Sequence, residues 1–399
     1  MKRRGVSRRN FIERFGAGGV AAAGVALAGG ASSLASFAVA ATHTTAVAPV
    51  SPPALLGAED SAATEKEQTT SAPSKAAERG AQRFSLSKLQ AWEALGYGVF
   101  IHFGMSTFVG QEMPDGKAPA STYNPDKLDV DQWVQIARDA GMKYAVLTAK
   151  HVAGHCLWPS KFTDYTVANS GNRTDVVQLF VRSCARRGVL PGIYYCSWDN
   201  HHLFGSLTPS FGGVLIADGQ EKGQPAYTTS LYQDFQTAQI TELLTNYGPV
   251  AEIWIDIPGV LGRGYRTYLY ERIAKLQPQC VVMMNSGVAD GARYRVGYAW
   301  PSDLIALERN LPPASGHVKW REIEGKRYYL PGEVCDTITK NWFYIEGDQP
   351  RPDEELVSML TETRKRGANL LLDVPPDKHG RILEECRDAL MRLRKSANL

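Results

Sequence analysis

The sequence predicts an α/β fold, a (β/α)8-type TIM barrel, regular or irregular, and three observations lead there. From Leu89 onward, short apolar runs alternate with amphipathic stretches at intervals suited to repeated strand–helix units. The runs are continuously apolar, as in a parallel sheet buried on both faces. The length of 399 residues, 44% of them hydrophobic, accommodates one barrel and leaves little for a third unit. A doubly wound open sheet is the alternative, but His102-Phe103-Gly104-Met105 after the first strand is no Gly-rich phosphate turn.

Taken in order, residues 1–40 are predicted to be a twin-arginine signal peptide. Lys2, Arg3 and Arg4 lead into Ser7-Arg8-Arg9-Asn10-Phe11-Ile12, and a Gly- and Ala-rich run ends at Ala38-Val39-Ala40. That run is only mildly hydrophobic, which favours cleavage after Ala40 over a stable membrane anchor. The expected partner is the twin-arginine export machinery, which carries folded proteins, and the expected destination is the periplasm or the exterior. Residues 41–84, rich in Ala, Thr, Ser and Pro, bury too little apolar surface to offset chain entropy and are expected to form a disordered spacer.

The formal charge of +3 is misleading, because the first forty residues hold six basic side chains and one acid. The remainder is close to neutral and has no basic stripe, so nucleic acid is excluded as a partner. The six cysteines, at 156, 184, 196, 280, 335 and 386, lack the paired spacing of a zinc ribbon or redox motif and read as core residues.

Residues 85–399 are expected to form the barrel. Strands are predicted over Tyr97–Phe103, Lys143–Ala149, Leu190–Cys196, Glu252–Ile257, Cys280–Asn285 and Asn369–Val374. Helices are predicted over Val130–Ala140, Thr174–Arg187, Tyr232–Tyr247, Gly264–Leu276 and Pro352–Arg366. The sixth and seventh strands have no clear run of their own.

Parallel barrels carry their chemistry at the C-terminal ends of the strands, so the polar residue closing each run is the informative one. Those residues are His102; Lys150 and His151; Tyr194, Tyr195 and Trp198-Asp199-Asn200; Asp256; and Asn285. Asp256 lies between two isoleucines, where a charge must be paired or used. It reads either as a nucleophile or as a structural Asp holding an arginine such as Arg263. A retaining glycosidase needs a second carboxyl group about 5–5.5 Å from the first. Glu308 and Glu333 both follow apolar stretches and both qualify, each with a structural ion pair as its other reading. His102, His151, Tyr195 and Trp198 offer hydrogen-bond donors and aromatic faces suited to a sugar. His151 and His155, four apart, suggest a metal pair, but no Glu follows His151 to complete an H-E-x-x-H site, and no metal is expected.

Several segments closely resemble the family 29 glycoside hydrolases, the α-L-fucosidases. They are Gly98-Val99-Phe100-Ile101-His102-Phe103-Gly104, Leu147-Thr148-Ala149-Lys150-His151, Cys156-Leu157-Trp158-Pro159-Ser160-Lys161, Gly192-Ile193-Tyr194-Tyr195, Leu243-Leu244-Thr245-Asn246-Tyr247-Gly248-Pro249 with Trp254-Ile255-Asp256, and Gly367-Ala368-Asn369-Leu370-Leu371-Leu372-Asp373-Val374-Pro375-Pro376-Asp377. The likeness runs from about residue 90 to residue 390 in the right order. It implies a retaining exo-fucosidase that needs no cofactor and acts on a fucosylated oligosaccharide or glycoconjugate. It further implies that Asp256 is the nucleophile, that His102 and His151 bind fucose hydroxyls, and that the segment from Asp303 to Pro313 carries the acid/base, favouring Glu308 with Glu333 as runner-up. Glu112 matches the glutamate of a substrate-binding Glu-Trp pair, here Glu112-Met113. The chain departs from the family at Val152, Ala153 and His155, where a His-Asp-Phe sequence is usual, and at Phe103, which replaces a Trp; substrate preference is expected to differ accordingly. No second folded domain is predicted. A barrel that binds sugar without cleaving it and a metal-assisted hydrolase are the competing readings.

Overall fold

The computed structural model describes residues 77–202, 214–215, 227–285 and 296–399. The signal peptide and residues 41–76 of the expected spacer lie outside the described residues. Eight parallel strands build a nearly closed barrel: β1 Tyr97–Ile101, β2 Tyr144–Lys150, β3 Leu190–Cys196, β4 Glu252–Asp256, β5 Val281–Met284, β6 Ile305–Glu308, β7 Gly332–Thr337 and β8 Ala368–Asp373. They hydrogen-bond in the order β5-β4-β3-β2-β1-β8-β7-β6. The longer helices among the described residues are α1 Leu86–Glu93, α2 Val130–Asp139, α3 Val176–Arg187, α4 Ser230–Asn246, α5 Arg263–Leu276, α6 Asp353–Lys365 and α7 Glu384–Ser396. Four of them start on side-chain caps, where Ser85, Asp129, Asp175 and Thr229 accept from the backbone N–H of Lys88, Gln132, Gln178 and Tyr232.

All six predicted strands form, and the two without a clear run of their own are β6 and β7. β6 has only four residues, and the described chain between β6 and β7 is an antiparallel hairpin, Trp320–Ile323 with Lys326–Tyr329, with no helix in that stretch. The alternation that revealed the other strands is therefore broken at this point.

Strand parity divides the core into two compartments. Phe100, Val146, Tyr194, Trp254, Met283, Ala306, Cys335 and Leu371 face the barrel axis. Their neighbours, among them Val99, Ile193, Ile255, Leu307 and Leu372, face the helices. Gly98 leaves room for the Tyr144 ring to cross the axis, since a Cβ there would lie 2.6 Å from it.

The gap between β5 and β6 is bridged by side chains. Val282 N–H donates to Asp303 Oδ2 at 2.8 Å and Met284 N–H to Ser302 Oγ at 3.0 Å, while Asp303 N–H donates to Val282 O at 2.8 Å. Arg83 pairs with Asp303 at 2.5 Å, and Gln82 exchanges hydrogen bonds with the Tyr329 backbone. The spacer boundary predicted at residue 84 is thus corrected: residues 78–84 are packed on the barrel, because Arg83 and Gln82 satisfy polar groups at this gap and on the hairpin. No helix among the described residues is long and apolar enough to cross a membrane.

Candidate active site

Asp256 closes β4, at the C-terminal end of the barrel. Its Oδ2 accepts from the Tyr194 hydroxyl at 2.6 Å, and its Oδ1 accepts from Asn285 Nδ2 at 2.8 Å and from Ile257 N–H at 2.9 Å. Asn285 Nδ2 also donates to Glu308 Oε2 at 3.1 Å. The two hydrogens of one amide diverge by about 120°, which sets the two carboxylate oxygens roughly 5 Å apart. That matches the about 5–5.5 Å of retaining glycosidases and falls short of the about 6.5–9.5 Å of inverting ones. Each carboxylate is followed by a residue in the left-handed region, Ile257 at φ 49° and Arg309 at φ 54°. For a β-branched Ile this conformation is strained, and such strain collects at functional sites. Asp256 is not the partner of Arg263, which pairs with Glu324 at 2.9 Å.

A pocket opens in front of the carboxylates. Phe100, Tyr194, Trp254 and Trp342 give it apolar faces, and His102, His151, Glu112 and Asn285 give it polar ones. Burial and the neighbouring Asp256 charge push the Glu308 carboxyl above its ordinary value, which favours a protonated acid. Burial holds the His151 imidazole well below its ordinary value, with the nearby His102 and Lys150 adding to the effect, so it is neutral. His102 Nδ1 lies 2.7 Å from Asp373 Oδ1, which also accepts the His102 backbone N–H at 3.2 Å. The Asp373 carboxylate thereby fixes a proton on Nδ1 and leaves Nε2 for a ligand. Burial raises Asp373 to about 6.

Of the sequence-predicted site residues, Asp256, Glu308, His102, His151 and Glu112 meet in this pocket, and four others do not. Tyr195 faces the helices, where its hydroxyl donates to Gln239 Oε1 at 2.8 Å, because parity turns Tyr194 inward and its neighbour outward. Trp198 stands off the pocket as formed by the described residues, its indole N–H donating to Asn200 Oδ1 at 3.2 Å. His155 is separated from His151: its Nε2 meets Ser170 Oγ at 2.8 Å, and it stacks on Tyr123. No group of three or more metal-ligating side chains occurs among the described residues. The runner-up acid/base Glu333 is sealed lower in the barrel, where it accepts from Tyr144 at 2.7 Å and from Trp254 Nε1 at 2.8 Å. It pairs in register with Ala306, whereas Cys335 is level with Glu308.

His151 reaches the pocket through a bulge. The β2–β3 register shifts between Thr148 and Lys150, sending Lys150 outward to Asp199 at 2.7 Å and Tyr232 at 3.1 Å and the next residue inward. Sequence reasoning gave no role to Asp373, although it closes an apolar run as the other site residues do. Trp342 sits in the loop after β7 and carries no comparable signal.

A parallel barrel with two carboxyl groups sharing one donor at the C-terminal ends of its strands is an arrangement that the glycoside hydrolase class uses. The profile of the α-L-fucosidase family matches residues 115–395, and the chain belongs to that family. It is 32% identical to α-L-fucosidase 1 of Arabidopsis thaliana over 311 residues, covering 74% of this chain and 56% of that protein. It is 27% identical to the α-L-fucosidase of Dictyostelium discoideum, covering 67% of this chain and 53% of that one. The chain thus spans about half the length of the curated relatives it matches. Among solved structures, α-L-fucosidase isoenzyme 1 of Paenibacillus thiaminolyticus superposes with a TM-score of 0.65 at 28% identity, covering 78% of this chain and 75% of that one.

Proposed function

We propose that the chain is an exo-acting, retaining α-L-fucosidase that releases terminal α-L-fucose from oligosaccharides or glycoconjugates through a covalent glycosyl-enzyme. The observation that carries this reading is the sharing of the Asn285 amide between Asp256 and Glu308, which implies a separation in the retaining range. Asp256 attacks the anomeric carbon as the glycosidic bond breaks, and Glu308 gives its proton to the departing oxygen. Glu308 then takes a proton from water, whose oxygen attacks the anomeric carbon and returns Asp256 as the free carboxylate. Tyr194 and Asn285 hold the nucleophile, and His102, His151 and Glu112 bind sugar hydroxyls. Phe100 and Trp254 accept the ring's C–H face and methyl group.

The test is the anomer first formed from nitrophenyl α-L-fucoside, followed by NMR before mutarotation. Initial α-fucose is expected; initial β-fucose, or no turnover, would reject the reading.

The same reading has the chain exported by the twin-arginine route to the periplasm or beyond. Its support is the Arg8-Arg9 pair and six cysteines that are all buried and free, as befits a chain folded before export. Replacing both arginines by lysine should hold the protein in the cytoplasm, and unchanged export would remove this part of the proposal.

A further inference from the structure

The acid that protonates a departing oxygen must face the leaving group, so side chains beside Glu308 at the pocket rim touch the sugar that leaves. Arg309 is one of them. By strand alternation it would follow Leu307 outward into the helix layer, but its left-handed φ of 54° redirects the chain, with its N–H donating to Cys335 O at 2.8 Å. The guanidinium comes to rest 4.9 Å from the centroid of Trp342, which lines the pocket.

Arg309 is weakly neutralised there. It approaches Asp336 only to 3.9 Å, whereas Arg351 holds that carboxylate at 2.9 Å and Glu355 at 2.5 Å. Its Nη1 and Nη2 reach Lys340 O only at 3.4 and 3.3 Å. The Lys340 side chain is itself exposed. A planar guanidinium with unfilled donors matches two oxygens of a carboxylate or a sulfate.

We propose that Arg309, stacked on Trp342 beside Glu308, recognises an acidic substituent, a carboxylate or a sulfate ester, on the sugar that leaves. This rests on the fucosidase reading and adds a preference among leaving groups.

The experiment compares kcat/KM for three fucosides that differ only in the leaving sugar: a neutral hexose, its uronic acid and its sulfate ester. Wild type, Arg309→Gln and Arg309→Lys are measured at low and high salt, with nitrophenyl α-L-fucoside alongside. Wild type should favour at least one charged substrate by about fivefold, and that ratio should shrink as salt rises. It should fall to one or below in Arg309→Gln and survive in part in Arg309→Lys. Preference for only the uronic acid or only the sulfate ester identifies the source of the charge. A ratio of one in wild type, or a ratio unchanged in Arg309→Gln, would overturn the proposal. The wild-type ratio and its salt dependence stand even if a variant fails to fold. Absence of turnover on every fucoside, the nitrophenyl one included, would instead reject the fucosidase reading.

Discussion

The barrel interior holds two pairs of carboxyl groups, and their environments give them opposite characters. Asp256 and Glu308 stand at the open end, sharing the Asn285 amide and lining a pocket. Glu252 begins the same strand that Asp256 ends, four residues or about 13 Å below it. There Glu252 and Glu333 are sealed from solvent. Burial pushes Glu333 up to about 7, and burial with the neighbouring Glu333 pushes Glu252 well above its ordinary value. The upper pair has a donor to divide between its charges and an opening for substrate. The lower pair has neither, and it is kept largely neutral as a footing for the pocket, since the Trp254 indole donates to Glu333 while its ring lines the site.

The largest separation of the two pairs comes from their glutamines. Glu308→Gln should lower kcat/KM on an oligosaccharide by about 10²–10⁴, with a smaller loss on a nitrophenyl fucoside whose leaving group needs little protonation. The proposed acid Glu308 would act while protonated, and its carboxyl is held above its ordinary value, so wild-type activity should fall as pH rises through that raised pKa and the variant should lose this limb of the profile. Equal losses on both substrates would remove Glu308 from the acid role.

Glu333→Gln keeps an acceptor for Trp254, and its kcat should stay within about threefold of wild type. Its effect lies in stability. A folded-state value of about 7 against an ordinary 4.5 means that wild-type stability is fully present below 4.5 and is lost as pH rises from there to about 7. The variant lacks that loss and should gain on wild type, on the order of 2 kcal/mol, between urea unfolding at about pH 5 and at about pH 8. Abolished turnover in Glu333→Gln would instead place the chemistry in the lower pair.

The smallest contrast is between adjacent tyrosines. Tyr194→Phe removes a donor to Asp256 and should reduce kcat about tenfold. Tyr195→Phe removes a bond to Gln239 on the outer face and should cost about 1 kcal/mol of stability with kcat nearly unchanged. The reverse order would invert the inside and outside of β3.

The same contrasts mark what the sequence could reveal. An Asp closing an apolar run, as at Asp256, is legible because strand ends in a parallel barrel point at the site. Choosing between Glu308 and Glu333 required register, which depends on where β6 and β7 begin, and the hairpin between them hides that from hydrophobic periodicity. Tyr194 and Tyr195 are equally good site residues by composition, and only pleat parity separates them. His151 defies parity because of the bulge at Lys150, and the resemblance pointed to it where alternation alone would have turned it away. Trp342 enters from a loop, where no period applies.

The most direct measurement is mass spectrometry of the protein after reaction with a fluorinated fucosyl fluoride that forms the glycosyl-enzyme faster than water removes it. A single fucosyl adduct on the peptide carrying Asp256, absent in Asp256→Asn, is the expected result. An adduct on Glu308, Glu252 or Glu333, or steady turnover with no adduct at all, would contradict the assignment of the upper pair.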